Sequence, residues 1–293
     1  MLDFHVITLE DREWIRPCLE RSGYMGCEYS FANNFAWYRL SDTRITHYKD
    51  FYISASFKNG LKYTFPSGSG DLRELFDILG KDSRERGYPL CIGSVTPDKI
   101  HIFDEIFGKN YEISTDPADW DYVYNTFDLA ELGGRKYHGK RNHLKKLLER
   151  EHTYSPLTEK DFDECIEFAV REYNKSREYD DHSRVCEQFA INAFFEHFYE
   201  LGLTGGVLRT DGVMAGFTIG DRINKDIYGV HIEKARTDID GAYQAINNYF
   251  AKDNLGYRYL NREEDLGVEG LRKAKRSYHP AFMVEKYTVT VNC

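Results

Sequence analysis

The chain has 293 residues, 41% of them hydrophobic and 15% aromatic, which is material for packed cores and length for one large domain or two ordinary ones. A formal net charge of −9 excludes broad, sequence-independent nucleic-acid binding, because neutralising phosphates needs a basic face. The six cysteines, Cys18, Cys27, Cys91, Cys165, Cys186 and Cys293, form no C-x-x-C pair; they read as reduced thiols rather than a zinc site or disulfide framework.

No run of about 18 apolar residues occurs, and the start MLDFHVITLEDREW carries acids where a signal peptide carries basic residues. The expectation is a cytoplasmic protein without stable membrane insertion. Walker, H-E-x-x-H and Rossmann patterns and a Ser-His-Asp arrangement are missing, so NTPase, zinc-protease, dinucleotide-oxidoreductase and hydrolase readings have no support.

In chain order, the first strong signal is FYISASF-KNG-LKYTF at 51–65, two alternating strands joined through Asn59-Gly60. A helix over 71–86 follows, then a strand at 90–95, a short helix at 98–107 and an alternating strand at 121–129. The double glycine Gly133-Gly134 marks a domain boundary, giving domains 1–133 and 134–293. Beyond it lies a basic stretch with Arg135, Lys136, Lys140, Arg141, Lys145, Lys146 and Arg150 beside His138 and His143. Its like charges repel unless an anion relieves them, which makes it a candidate tRNA or CoA contact; a solvated linker helix is the plain alternative.

Phe162, Cys165, Ile166, Ala169, Val170 and Tyr173 recur at helical spacing. A second helix runs over 183–201, with Ser183 as N-cap and Phe189, Ala193, His197 and Leu201 on one stripe. The hairpin at 205–220, turning at Asp211-Gly212, is read as the counterpart of 51–65. A helix at 240–252, a strand at 257–261, a helix at 268–275 and a closing strand at 281–291 complete the second half. The same order of elements thus occurs twice, as a repeat of architecture rather than of residues.

This double plan resembles the GNAT fold in tandem, an α+β architecture of mixed twisted sheets flanked by helices. HIEKA at 231–235, GAYQAINNYFA at 241–251 and NREEDLGVEGLRKAKRSYHP at 261–280 look like the family that supplies the C-terminal catalytic domain of phosphatidylglycerol lysyltransferases. That family is related to the Fem-type transferases that take amino acids from aminoacyl-tRNA. The resemblance implies transfer of an acyl or aminoacyl group to an amine or hydroxyl, with catalysis in the second half and a CoA thioester or aminoacyl-tRNA as donor; no permanently bound cofactor or metal is implied. Lysyltransferases carry a large membrane-spanning portion not seen in this sequence, which argues against a bulk lipid acceptor. The acyl-CoA turn of GNAT enzymes, Q/R-x-x-G-x-G/A, corresponds to Arg236-Thr-Asp-Ile-Asp-Gly241-Ala242, two residues longer between Arg and Gly.

Several residues could carry this chemistry. The first-turn amides of the helix near Asp240 form a candidate anion site with Arg236, Gly241 and Ala242; the competing reading makes Asp238 or Asp240 its N-cap. His231 and Glu233 alternate along one strand and are expected on one face, with Glu233 as general base. In the cluster after the next strand, Asn261 is a candidate substrate- or donor-binding residue, Arg262 would hold a donor or substrate carbonyl, and Glu263 or Asp265 an amino group. Lys275 is a candidate hydrogen-bond donor to a phosphate, or else a surface-helix residue. By the GNAT resemblance Tyr278 is the acid that protonates the leaving group. A cross-strand ion pair at Glu233, a solvated charge run at 262–265 and a core aromatic at 278 are the structural alternatives. The runner-up functions are a non-catalytic module binding a nucleotide or aminoacyl ligand, and an adaptor that holds a peptide between the halves.

Overall fold

The computed structural model describes residues 1–175 and 181–292; the side chains of Tyr173 and Ser183, and Cys293, lie outside the described residues. Two helices open the chain, the amphipathic α1 (Arg12–Ser22) and α2 (Phe31–Ser41), the latter N-capped by the Ser30 hydroxyl, which accepts from the Asn33 N–H. Strands β1 (Thr43–Tyr48) and β2 (Phe51–Ser56) pair antiparallel around a two-residue turn in which Lys49 adopts φ 50°. β2 continues to β3 (Lys62–Thr64) as expected, although only Gly60 of Asn59-Gly60 takes a positive φ. After the short β4 (Ser67–Gly68), α3 (Leu72–Glu85) begins at Asp71, whose carboxylate accepts from the Arg73 and Glu74 amides. Then come β5 (Leu90–Val95), parallel to β3, α4 (Ile100–Phe107) and β6 (Tyr111–Thr115).

The middle of the chain holds β7 (Asp121–Asn125), α5 (Thr126–Glu131), α6 (His138–Leu148), β8 (His152–Pro156), α7 (Phe162–Lys175), α8 (Asp181–Glu196) and α9 (Phe198–Leu201). The buried stripe of α8 is Ala190, Ile191, Phe194 and Phe195; Phe189, expected inward, is exposed against Arg39. Strands β9 (Thr204–Thr210) and β10 (Val213–Arg222) turn at Asp211 (φ 53°) and Gly212 (φ 77°), the pair of positive angles a two-residue hairpin needs. β11 (Ile227–Ala235), α10 (Ala242–Asp253), β12 (Tyr259–Asn261), α11 (Glu269–Arg276), β13 (Phe282–Val284) and β14 (Tyr287–Val291) finish the chain.

Two mixed sheets result, ordered β1-β2-β3-β5-β14-β6, with β4 on β2, and β13-β7-β12-β11-β10-β9-β8. The unrecognised β1 shifts the internal correspondence by one strand. The unit β1-β2-β3-α3-β5 matches β9-β10-β11-α10-β12, each ending in a strand parallel to its third, so the hairpin at 51–65 corresponds to β10-β11 and not to β9-β10.

The closing strands also change places. β7, from the first half of the chain, pairs with β12 and β13, while the expected strand 281–291 divides, β13 joining β7 and β14 inserting between β5 and β6. The sheets therefore do not divide at Gly133-Gly134. One core cluster also crosses between the halves, joining Ile15, Leu19, Phe31, Ile45 and Tyr52 to Phe168, Phe194, Phe217 and Ile232.

Candidate functional site

β11 and β12 run parallel for only three residue pairs, Ile227–Tyr259, Tyr228–Leu260 and Gly229–Asn261. β12 then ends and β11 continues to Ala235, so the sheet opens into a cleft at the carboxyl ends of two neighbouring strands, where open mixed sheets place ligands. Opposite, β10 pairs Ile219 with Ile232 and Gly220 with Val230, leaving His231 as the extra residue of a β-bulge.

The bulge overturns the expectation that His231 and Glu233 share a face. The His231 ring stacks on Phe194 of α8 with centroids 5.5 Å apart, whereas the Glu233 carboxylate accepts from Asn247 of α10 at 3.1 Å, on the other side of the sheet. Arg262 and Glu263 divide in the same way. Two side-chain bridges consequently span the cleft, Glu233 Oε1 to Arg262 Nη2 at 2.5 Å and His231 Nδ1 to Glu263 Oε1 at 2.7 Å.

On the α8 side, His231 Nε2 also meets Asp221 Oδ1 at 2.7 Å, and Ser30 Oγ donates to that oxygen at 3.0 Å. Burial opposes protonation of the enclosed ring, but its hydrogen bonds to Asp221 and Glu263 prevail and raise it from 6.5 to about 10, so it is an imidazolium at neutral pH. On the α10 side, Arg262 lies over the Tyr278 ring at 4.9 Å and Lys140 Nζ at 3.7 Å. Two buried donors there, Tyr278 Oη and Arg262 Nη1, have no partner among the described residues. Burial raises Tyr278 well above its ordinary value and outweighs the opposing Arg262 charge. Lys140, from α6, donates to Ser277 Oγ at 2.6 Å; burial, aided by Arg262, lowers it to about 8.

Other expected site residues serve the scaffold. Asp265 is fully buried, accepting from Tyr122 at 2.7 Å, from Arg272 at 2.8 and 2.9 Å and from the Gly267 amide. Asn261 donates to Met25 O and Asp121, and accepts from the Glu263 amide. The Lys275 ammonium donates to the carbonyls of Arg262, Glu263 and Glu264, using its three protons to hold the loop after β12 and leaving none for a phosphate.

The expected anion site is also closed. Gly241, not Asp238 or Asp240, is the N-cap of α10, at φ 91°, and a Cβ there would stand 2.2 Å from His143 O of α6. Ala242 is fully buried, Arg236 is paired with Asp238, and Asp240 is paired with His143 and Lys146. Much of the basic stretch is likewise neutralised from within, Lys136 by Asp128, Lys145 by Glu149 and Arg150 by Asp211.

A second buried cluster joins the halves. Cys27 Sγ and the carboxylates of Asp121 and Glu264 come within 4.8 Å of one another, a spacing that could hold a metal ion. Lys286 Nζ already lies 2.6 Å from Asp121 and 2.9 Å from Glu28, supplying the positive charge. Burial and Asp121 raise the Cys27 thiol well above its ordinary value, against the thiolate a metal would need.

Two hairpin-fed sheets, each passing through a helix to a parallel strand, form a tandem GNAT-like fold. The chain belongs to the family described as phosphatidylglycerol lysyltransferase, C-terminal, whose sequence model matches residues 20–290. It is similar to the crystal structure of a conserved protein of unknown function from Bacteroides thetaiotaomicron VPI-5482, with 36% identity over 100% of both chains and a TM-score of 0.93. L-PGS from Bacillus licheniformis shares the fold at 15% identity and TM-score 0.67, over 96% of this chain and 92% of its own. FemX shares it at 8% identity and TM-score 0.64, over 99% and 97%. An uncharacterised protein of Mycoplasmoides gallisepticum is 24% identical over 182 residues, 59% of this chain and 56% of that relative's length. The related families are transferases.

Proposed function

We propose that the protein transfers an aminoacyl group to an amine or hydroxyl acceptor in the cleft between β11 and β12. The observation that carries this reading is the pair of buried, unpartnered donors, Tyr278 Oη and Arg262 Nη1, beside the Glu233–Arg262 bridge. Transfer from an ester to an amine forms a C–N bond, breaks a C–O bond and passes through a tetrahedral oxyanion. Fixed donors with no other partner suit that charge.

In this scheme Tyr278 acts as an oxyanion donor rather than as the acid expected from sequence, because burial makes it hold its proton. Lys140, lowered to about 8, is partly neutral at physiological pH; it takes the acceptor's proton and, as the ammonium, gives it to the departing ester oxygen when the C–O bond breaks. Glu233, held by Arg262 and Asn247, is a positioning residue that fixes the guanidinium. The filled N-terminus of α10 favours an aminoacyl ester, as on tRNA, over acyl-CoA, whose pyrophosphate would need those amides.

Thermal-shift titration with CoA, acetyl-CoA and a stable aminoacyl-adenosine analogue tests the donor. Stabilisation by the analogue alone is expected; saturable CoA binding that Arg236→Ala abolishes would overturn it. Transfer products are read by mass spectrometry. Tyr278→Phe should fold with unchanged or slightly higher stability, because the lost hydroxyl has no partner, yet lose about 10²–10³-fold in turnover. Full turnover in that variant removes the oxyanion assignment.

A further inference from the structure

At the junction of the two halves, behind the His231–Glu263 bridge, a cavity of about 60 Å³ opens between α1, the end of α9 and the end of β10. Its walls carry Arg12 and Arg16 from the first half and Arg222 from the second, with Glu20 at the rim and Asp221 among its lining. Glu20 serves two of these cations loosely, 3.6 Å from Arg16 and 3.8 Å from Arg222. Arg12 is half-buried, and among the described residues no carboxylate contacts it; its bond to Leu201 O is long, at 3.4 Å. Burial and Arg16 disfavour the Arg12 charge while Asp221 favours it, so the two groups sense each other across the cavity without closing an ion pair.

Asp221 turns Oδ1 to His231 and Ser30, and among the described residues no donor engages its other oxygen. The cavity is therefore lined by residues that carry guanidinium groups and a carboxylate, and its volume is that of a few heavy atoms. An open trough that shares Arg12, Arg16 and Glu20 with it, and is lined also by Glu10 and Glu13, lies beside it.

We propose that this cavity is a binding site for the zwitterionic head of an α-amino acid, its carboxylate on Arg12 and Arg16 and its ammonium on Asp221. The carboxylate takes guanidinium N–H bonds of the kind that favour planar oxyanions. The ammonium supplies the donor that the open oxygen of Asp221 lacks. A simple anion would satisfy the arginines but repel Asp221, and a simple amine would do the reverse. This site stands apart from the transfer reading, and either can fail without the other.

The test is calorimetric titration of the full chain with the twenty amino acids, glycinamide, N-acetylglycine and inorganic phosphate. Saturable binding of one or more amino acids is expected in the millimolar range or tighter, and at least about tenfold weaker when either charge of the head is masked. Arg12→Gln and, separately, Arg16→Gln should weaken binding by a similar factor with the melting temperature unchanged. Asp221→Asn adds a third arm, read only if it folds, since Asp221 also holds His231. N-acetylglycine or phosphate binding as well as the amino acid would reduce the site to an anion pocket and overturn the proposal. So would silence across the amino acids, or binding indifferent to both arginine variants.

Discussion

His231 is the residue on which the interior electrostatics turn. Its ring is buried among apolar neighbours, yet two carboxylates bracket it at 2.7 Å, so in the folded chain it keeps its proton up to about pH 10 against 6.5 ordinarily. A group whose folded value is raised contributes stability that is complete below the unfolded value and is lost as pH rises through the folded one. Urea unfolding should therefore show stability falling between about pH 6.5 and 10 beyond what surface groups account for. His231→Gln should remove that slope and cost about 3–5 kcal/mol at pH 6, because it leaves the buried Asp221 and the part-buried Glu263 without their cation. Parallel pH profiles for the two proteins would show that the ring is neutral and the bridges are ordinary hydrogen bonds. Nothing in the sequence distinguished this histidine from Glu233, two positions on: strict alternation put them on one face, and only the bulge opposite Ile219-Gly220 separates them.

Among the elements, α6 carries the basic stretch that reads either as a tRNA or CoA contact or as a solvated linker helix, and His143, Lys145 and Lys146 on it pair with acids of the same chain. Its closest contact is with the first turn of α10, where Gly241 is required twice over: its φ of 91° disfavours any side chain, and a Cβ would stand 2.2 Å from His143 O and 3.0 Å from Leu147 Cβ. Gly241→Ala should cost roughly 2–4 kcal/mol in chemical denaturation, strain and overpacking together. Gly212→Ala, at φ 77° with nothing within 4 Å, should cost only the left-handed strain of about 1–2 kcal/mol. Equal losses at the two sites would mean that α6 yields easily. Elements with standard signals were legible: the helix over 71–86, the Asp211-Gly212 turn, the apolar periodicity of α7. β1 was not, because its hairpin turns through Lys49-Asp50, with a lysine in the left-handed region where sequence reading looks for glycine or asparagine. Lys140 was visible only as one of many cations, since its site depends on α6 packing beside Tyr278, which lies far along the chain.

At the scale of the whole molecule, the exchange of closing strands decides how the protein can unfold. β7 leaves the first half to sit between β12 and β13, β14 returns to sit between β5 and β6, and the two-residue crossing before β14 is fixed where Lys286 meets Asp121 at the start of β7. Neither sheet is complete without strands from both ends of the chain, and the largest core cluster draws on both halves. Two independent domains would melt in two steps; this arrangement couples them, so far-UV and near-UV signals should trace one coincident transition. A chain ending at Lys286 loses the strand between β5 and β6, and it should lose the structure of the second sheet as well as the first. Separate fragments 1–133 and 134–293 should not fold alone, because the first would carry β7 without either partner and the second β14 without either of its own. Lys286→Met leaves the fully buried Asp121 without its cation and should cost about 3–5 kcal/mol while keeping the transition single. A resolved second transition in the intact chain, or a fragment 134–293 with native near-UV signal, would show that the exchanged strands are peripheral to cooperativity. In that case the cleft of the second half, and not the junction between halves, would be the unit on which any transfer chemistry depends.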